Sequence, residues 1–283
     1  IIFDDQAALT DPALHDQEQG NLIMKRILCL SVFAALTLAC NAAFAADECT
    51  KIVATGHPQY PAIAYKDGDN IAGAAPMLVE AIAKNLKVPL ESKYMGTWEE
   101  AQAAARDGKA DMIFGIYYND ERATYLDYVQ PAFMYDEVVV FVAKDKPFTY
   151  KDENDLIGKK GVTNQGESYG TDFDAFIKDK LTVARANGVE AAFKELLAGN
   201  ADYLIAGYYS GLAVAAKAGL KDQIEPLSPA ILEAEMFVAF SKKSPCRSLV
   251  PGFSQGITEM TTNGTFDTML QDATSAWDAA QKH

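Results

Sequence analysis

The chain of 283 residues carries 39 acidic against 25 basic side chains, a formal net charge of −14. A phosphate-binding surface needs a basic stripe that this balance does not supply, which excludes nucleic acid as a partner. The length accommodates one large domain or two lobes of ~100 residues, each with its own core.

Residues 1–23 are polar and acidic and do not start with Met. They are expected to be an upstream non-native or disordered tail outside the fold. Met24 is followed by Lys25 and Arg26, an apolar run from Ile27 to Ala39, and Ala43-Phe44-Ala45, the small-x-small pattern read by a signal peptidase. Residues 24–45 are therefore expected to be a signal peptide cleaved after Ala45. A lipoprotein anchored at Cys40 is the less favoured reading, because Leu38 stands where that signal needs a small residue. No other stretch approaches the ~20 apolar residues of a spanning helix. Cys29 and Cys40 leave with the signal, and Cys49 and Cys246 remain in an oxidising compartment. The pair is a candidate disulfide, with two separate thiols as the alternative.

Beyond the signal, strands and helices alternate. Lys51 to Ala54 reads as a strand, Pro76 to Lys87 as a helix with Leu78, Ile82 and Leu86 on one face, Leu90 to Tyr94 as a strand and Trp98 to Asp107 as a helix. Ala110 to Tyr117 is a short apolar strand that opens at Asn119-Asp120 into a loop or helix start. Tyr125 to Pro131 is aromatic-rich, and Glu137 to Ala143 is β-branched. The charged stretch Lys144 to Glu153 reads as a crossover. Then follow Lys160 to Asn164 (strand), Ser168 to Lys180 and Gly188 to Ala198 (helices), Asp202 to Ala206 (strand), Ser210 to Lys217 (helix) and Glu235 to Ser241 (strand). Helices around Phe253 to Met260 and Phe266 to Trp277 end the chain. Alternation of this kind means mostly parallel sheets covered by helices, an α/β class.

Arg122 lies just past the apolar strand Ala110 to Tyr117. Side chains beyond a strand's C-terminal end face the crevice where open α/β sheets bind ligands, and a guanidinium matches a carboxylate there. Gly115 would let a bound molecule approach the backbone. On spacing alone, an ion pair of Arg122 with Asp120, Glu121 or Asp127 on a solvated face is an equal alternative.

The segment with Gly108, Lys109, Asp111, the strand to Tyr117, Asn119 to Arg122 and Tyr125 to Pro131 resembles the family 3 extracellular solute-binding proteins, the amino-acid-type periplasmic proteins of ABC importers. The resemblance extends over nearly all of residues 50 to 280. It implies the type II periplasmic-binding fold, with two lobes joined by two hinge strands: residues 46–140 and 241–283 in one lobe, 141–240 in the other. It also implies that an aromatic Tyr60 and a stacking Trp98 line the ligand, that Gly115 and Tyr117 offer backbone groups, and that Arg122 holds a carboxylate. On the second lobe, Gly166-Glu167-Ser168 matches the family's Gly-Thr-Thr step, with Ser168 supplying a hydroxyl at a helix start.

The sequence departs from the family where α-amino acids are usually held. The expected aspartate, eight residues past the Gly199 to Asp202 turn, is Gly207, followed by Tyr208 and Tyr209, and Thr55-Gly56-His57 replaces the first-lobe aspartate. Three outcomes fit: Glu167 or Glu235 supplies the missing anion, a tyrosine cage holds a cation through its ring faces, or the ligand is a carboxylate without an amine. The third is favoured, because tyrosines 117, 118, 169 and 208 bring hydroxyls without fixed charge. His57 reads as a solvated loop residue.

The function implied is a non-enzymatic periplasmic protein, a monomer without cofactor or metal, that delivers a small carboxylate-bearing solute to an ABC-transporter membrane permease. A periplasmic dehydratase-like enzyme and a ligand-presenting sensor are the alternatives, although no Ser-His-Asp set, metal-ligand cluster or phosphate loop is readable.

Overall fold

A nine-stranded sheet forms the backbone of the protein in a computed structural model that describes residues 48–281. The expected tail over 1–23 and signal peptide over 24–45 lie outside the described residues. The strands are β1 (Ile52–Gly56), β2 (Gln59–Tyr60), β3 (Ala64–Asp67), β4 (Asn70–Ala72), β5 (Leu90–Ser92), β6 (Met112–Tyr117), β7 (Leu126–Ala143), β8 (Lys160–Asn164), β9 (Thr182–Ala186), β10 (Tyr203–Gly207), β11 (Ile224–Pro226) and β12 (Leu232–Ser241). The large sheet runs β5-β1-β6-β12-β7-β10-β8-β9, with β11 also on β7, while β2, β3 and β4 make a small sheet of their own. At each end the neighbours are parallel: β5, β1 and β6 on one side, and β10, β8 and β9 on the other.

Between these ends, β7 and β12 pair antiparallel, from Leu232 opposite Val138 to Ser241 opposite Leu126. The register shifts between Met236 and Val238, where β7 carries additional residues. β7 is 18 residues long, and besides β12 it pairs through its C-terminal half with β10 and β11. The aromatic segment Tyr125 to Pro131 and the β-branched segment Glu137 to Ala143 are thus two parts of one strand.

The apolar runs explain the layers. All six residues of β6 are buried, as expected for a strand covered by helices on both faces. The helices are α1 (Ala74–Asn85), α2 (Trp98–Asp107), α3 (Asp120–Ala123), α4 (Thr171–Lys180), α5 (Val189–Leu197), α6 (Tyr208–Lys217), α7 (Val250–Thr262) and α8 (Thr265–Ala280). α1 buries Leu78, Val79 and Ile82. α2 starts in a capping box between Thr97 and Glu100 and stops at Gly108, whose φ of 79° is the left-handed turn that glycine adopts freely. The large sheet of mostly parallel strands flanked by helices bears out the expected α/β fold. Cys49 and Cys246 form the expected disulfide, with Cα atoms 4.7 Å apart across 197 positions of sequence. No described helix is long and apolar enough to cross a membrane.

Candidate functional site

Arg122 is the only residue of the short α3 that is buried. Asn119 caps this helix: its Oδ1 accepts the Arg122 backbone N–H at 2.7 Å, which sends the side chain inward. The guanidinium donates to Gln102 Oε1 (2.9 Å), to the Tyr117 carbonyl (3.0 Å) and to the Gly166 carbonyl (3.1 Å). It also lies 5.6 Å from the Trp98 ring centroid. The alternative of a solvated ion pair does not form. Glu121 instead pairs with Arg106 at 3.2 Å and Asp127 with Arg247 at 2.5 Å.

The Gly166 carbonyl comes from the opposite side of the molecule, in the loop after β8. Gln102 Nε2 donates to the same carbonyl at 3.0 Å, so two side chains of the β6 side hold one backbone group of the β8 side. Beside them, Asn119 Nδ2 donates to Ser168 Oγ at 2.6 Å, and Ser168 in turn donates to Asp174. Ser168 precedes its helix rather than opening it, because Gly170, with φ 101°, interrupts the chain and α4 starts at Thr171.

His57 is 1% exposed, which corrects the expectation of a solvated loop residue. The Gln59 N–H donates to His57 Nδ1 at 2.9 Å, so the ring proton sits on Nε2 and faces Glu167 Oε1, also at 2.9 Å. The ring leans on Trp98, with centroids 4.7 Å apart. Glu167 additionally accepts from Asn164 at 3.0 Å. Burial pushes the Glu167 carboxyl up, but His57, Asn164 and the Arg122 charge together outweigh it and hold the group below its ordinary value.

A second carboxylate, which the sequence reading did not single out, stands in β7. Asp136 is 3% exposed. Its Oδ2 accepts hydrogen bonds from both the Tyr60 and Tyr117 hydroxyls, and those two hydroxyls are 2.6 Å apart. Burial raises the Asp136 carboxyl, the two tyrosines lower it, and Glu137 and Glu167 raise it again, with a net shift upward. The same burial, with the Asp136 charge, drives the Tyr60 hydroxyl well above its ordinary value. Asp136 lies two residues from Met134 and Val138, on the inward-facing set of a strand whose C-terminal half is otherwise apolar. A charged residue at such a position was the signal in the sequence.

Tyr60 and Tyr117 line a small cavity with Asn164, Glu167, Tyr169, Gly207 and Ser210. Its volume is about 10 Å³, roughly the room one water needs. Glu167 separates it from an open groove of about 420 Å³, where Arg122, Gln102, Asn119, Gly166 and Ser168 come together. Trp98 is in the core formed with Ala101, Ile113 and Leu126 and meets the site through its contacts with His57 and Arg122. Gly115 has φ 70° and is skipped in the pairing of β6 with β12, so it forms a bulge. Tyr208 is half-buried at the start of α6, stacked edge-on against Tyr209, and borders neither cavity nor groove. Glu235 is exposed on β12, with Tyr135 at 3.4 Å. Among the described residues, no group of three or more His, Cys, Asp or Glu is arranged to hold a metal ion.

The model of the bacterial extracellular solute-binding proteins, family 3, matches residues 52–274. No curated protein sequence matches the chain. Among solved structures, the substrate-binding protein of an amino acid ABC transporter is 26% identical, with a TM-score of 0.62 over 78% of this chain and 97% of that one. A histidine kinase sensor domain with similarity to periplasmic binding proteins is 22% identical, with a TM-score of 0.67 over 80% and 96% of the two chains. The arginine-, lysine-, histidine-binding protein ArtJ from Geobacillus stearothermophilus is 19% identical, with a TM-score of 0.65 over 78% and 94%.

Proposed function

This chain belongs to the bacterial extracellular solute-binding proteins, family 3, and we propose that it captures a small carboxylate-bearing solute of the amino-acid class between two lobes and delivers it to the permease of an ABC importer. The family and fold are those of solute-binding proteins, which are not enzymes. Residues 46–140 with 241–283 make one lobe of this reading and residues 141–240 the other, with β7 and β12 as the hinge. Passage through a cleaved signal peptide puts the protein in the periplasm, where such a carrier works.

The observation that carries the reading is the position of Arg122. Its guanidinium bonds to Gln102 and Tyr117 on one side and to the Gly166 carbonyl on the other. A guanidinium has five N–H donors, so two remain for a ligand carboxylate, and an ionised acceptor is a stronger partner than the neutral Gly166 carbonyl. Asn119 and Ser168 supply further donors beside it.

Entry needs motion. A cavity of about 10 Å³ does not hold an amino acid, so the walls must separate. The bonds across the cleft include Arg122 and Gln102 to Gly166, Asn119 to Ser168, Asp120 to Thr171, His57 to Glu167 and Val189 to Gln59. All of them are hydrogen bonds between polar groups that water can replace, while the paired strands β7 and β12 persist as the axis.

The test is to unfold purified protein, identify any released small molecule by mass spectrometry, and add it back in a thermal-shift titration. A true ligand at ~100 times its dissociation constant adds ~2.7 kcal/mol of stability. No shift with the released compound, nor with any of the twenty amino acids, would overturn the reading.

A further inference from the structure

We propose that the Asp136 carboxylate, held by the Tyr60 and Tyr117 hydroxyls on the hinge strand β7, receives the protonated amine of the ligand. This rests on the solute-binding reading and deepens it, and it replaces the sequence-based preference for a ligand without an amine.

Three observations converge on Asp136. The first is its position. A Cβ built on Gly207 would come 1.8 Å from the Tyr60 hydroxyl and 2.6 Å from Asp136 Oδ2. The Tyr60 hydroxyl, with the Asp136 carboxylate behind it, therefore occupies the space of a side chain at position 207, which β10 places opposite Val138 of β7. The acid absent from the β10 end is supplied by the neighbouring strand, and the glycine at 207 is what makes room for it.

The second is charge. Asp136 forms no ion pair among the described residues, and Oδ1 has no donor there. A buried carboxylate in this condition is costly and gains from any cation that reaches it. The α6 N-terminus beginning at Tyr208 offers about half a positive charge, not a whole one. Glu167 has His57 and Arg122 beside it, whereas no cationic side chain bonds to Asp136 among the described residues. An ammonium would supply that missing cation.

The third is access. Tyr60 and Tyr117, the two groups that hold Asp136, are also walls of the cavity that Glu167 and Ser210 complete. An amine entering there meets Asp136 once the phenol hydroxyls turn aside, and those hydroxyls then accept or donate around it. Arg122, beyond Glu167, is left to take the carboxylate end of the same molecule.

The experiment uses the full chain and matched probes: L-arginine, L-glutamine, L-leucine and L-phenylalanine, each against the same carboxylate without its α-amine (5-guanidinopentanoate, glutaramate, 4-methylpentanoate and 3-phenylpropanoate). Calorimetric titration is expected to show binding by an amine-bearing member and a loss of about 100-fold or more for its amine-free partner. Asp136→Asn, which keeps shape and hydrogen bonds, is expected to produce a similar loss for the amine-bearing probe and little change for the partner. Amine-free probes that bind within threefold of their partners overturn the proposal while leaving the solute-binding reading intact, as does an unchanged amine affinity in a folded Asp136→Asn protein. If wild-type protein binds no probe of either series, both the amino-acid reading and this proposal fall. The comparison of probes on wild-type protein decides the matter even if the variant does not fold.

Discussion

The Gly166 carbonyl accepts the Arg122 guanidinium at 3.1 Å, and this bond joins the loop after β8 to the helix after β6 across 44 positions of sequence. The contact makes Arg122 both a fastener and a binding group, and the two roles separate by substitution. Arg122→Ala removes three donated bonds and leaves the buried Tyr117 carbonyl with the Tyr128 hydroxyl, at 3.1 Å, as its remaining partner. Gly166 retains Gln102. The expected cost is about 1–3 kcal/mol in urea unfolding of unliganded protein, together with loss of ligand-induced stabilisation. Arg122→Lys keeps the charge without the fork, so it is expected to bind weakly rather than not at all. An unchanged ligand shift in Arg122→Ala would remove the residue from the site.

The acidic pair of the cleft gives opposite pH signatures. The Glu167 carboxyl is held below its ordinary value near 4.5. It therefore contributes stability above that pH, and the contribution is lost as pH falls through its lower folded value. The Asp136 carboxyl is raised above its ordinary value near 3.8. Its contribution is fully present below 3.8 and is lost as pH rises through the folded value, so ionised Asp136 weakens the unliganded protein at neutral pH. Asp136→Asn is expected to be more stable than wild type at pH 7 without ligand, with the difference shrinking as pH falls toward 4. Thermal unfolding between pH 4 and 8 in ligand-free buffer checks this. A variant less stable at pH 7 would mean that Asp136 is held by its surroundings and not left for a ligand.

Much of this arrangement was readable from residue patterns, and the rest fails for identifiable reasons. The apolar run Met112–Tyr117 and the capped helix Trp98–Asp107 carry their own local signals, so strand, helix and the position of Arg122 between them follow directly. β2, β3, β4, β9 and β11 bury at most one residue each, so no apolar run marks them in the sequence. Ser168 was expected at a helix start because Gly170, two residues on, gives no sign in the sequence of delaying the helix to Thr171. His57 and Glu167 are 110 positions apart, and only the closed chain shows that they neutralise each other's exposure. Gly207 was recognised as a missing acid, but nothing local says that its neighbour across the sheet fills the space.

The disulfide makes a separate prediction. Cys49 stands just before β1, and Cys246 follows β12, so the bond closes a loop of nearly the whole described chain. In the chain-entropy account a loop of this size constrains the unfolded ensemble strongly, and the double variant Cys49→Ser, Cys246→Ser is expected to lose about 2–5 kcal/mol. Ligand affinity is expected to stay within about twofold, because neither cysteine borders the cavity or the groove. A large change in affinity would tie the disulfide to lobe motion.

Gly207 offers the sharpest steric test. Its φ of −62° suits any residue, so an added methyl meets no backbone penalty and only the side chains opposing it matter. Those are the Tyr60 hydroxyl at 1.8 Å, Asp136 Oδ2 at 2.6 Å and Tyr60 Cζ at 2.8 Å. Gly207→Ala must push the Tyr60 ring and the carboxylate apart, at an expected cost of about 1–3 kcal/mol, with ligand binding weakened through the displaced pair. Tyr60→Phe removes the nearest atom, so the double variant is expected to recover part of the stability that Gly207→Ala loses, and a double-mutant cycle measures the coupling. Additive costs would place Tyr60 away from Gly207 in solution and would dissolve the arrangement in which β7 carries the acid that β10 lacks.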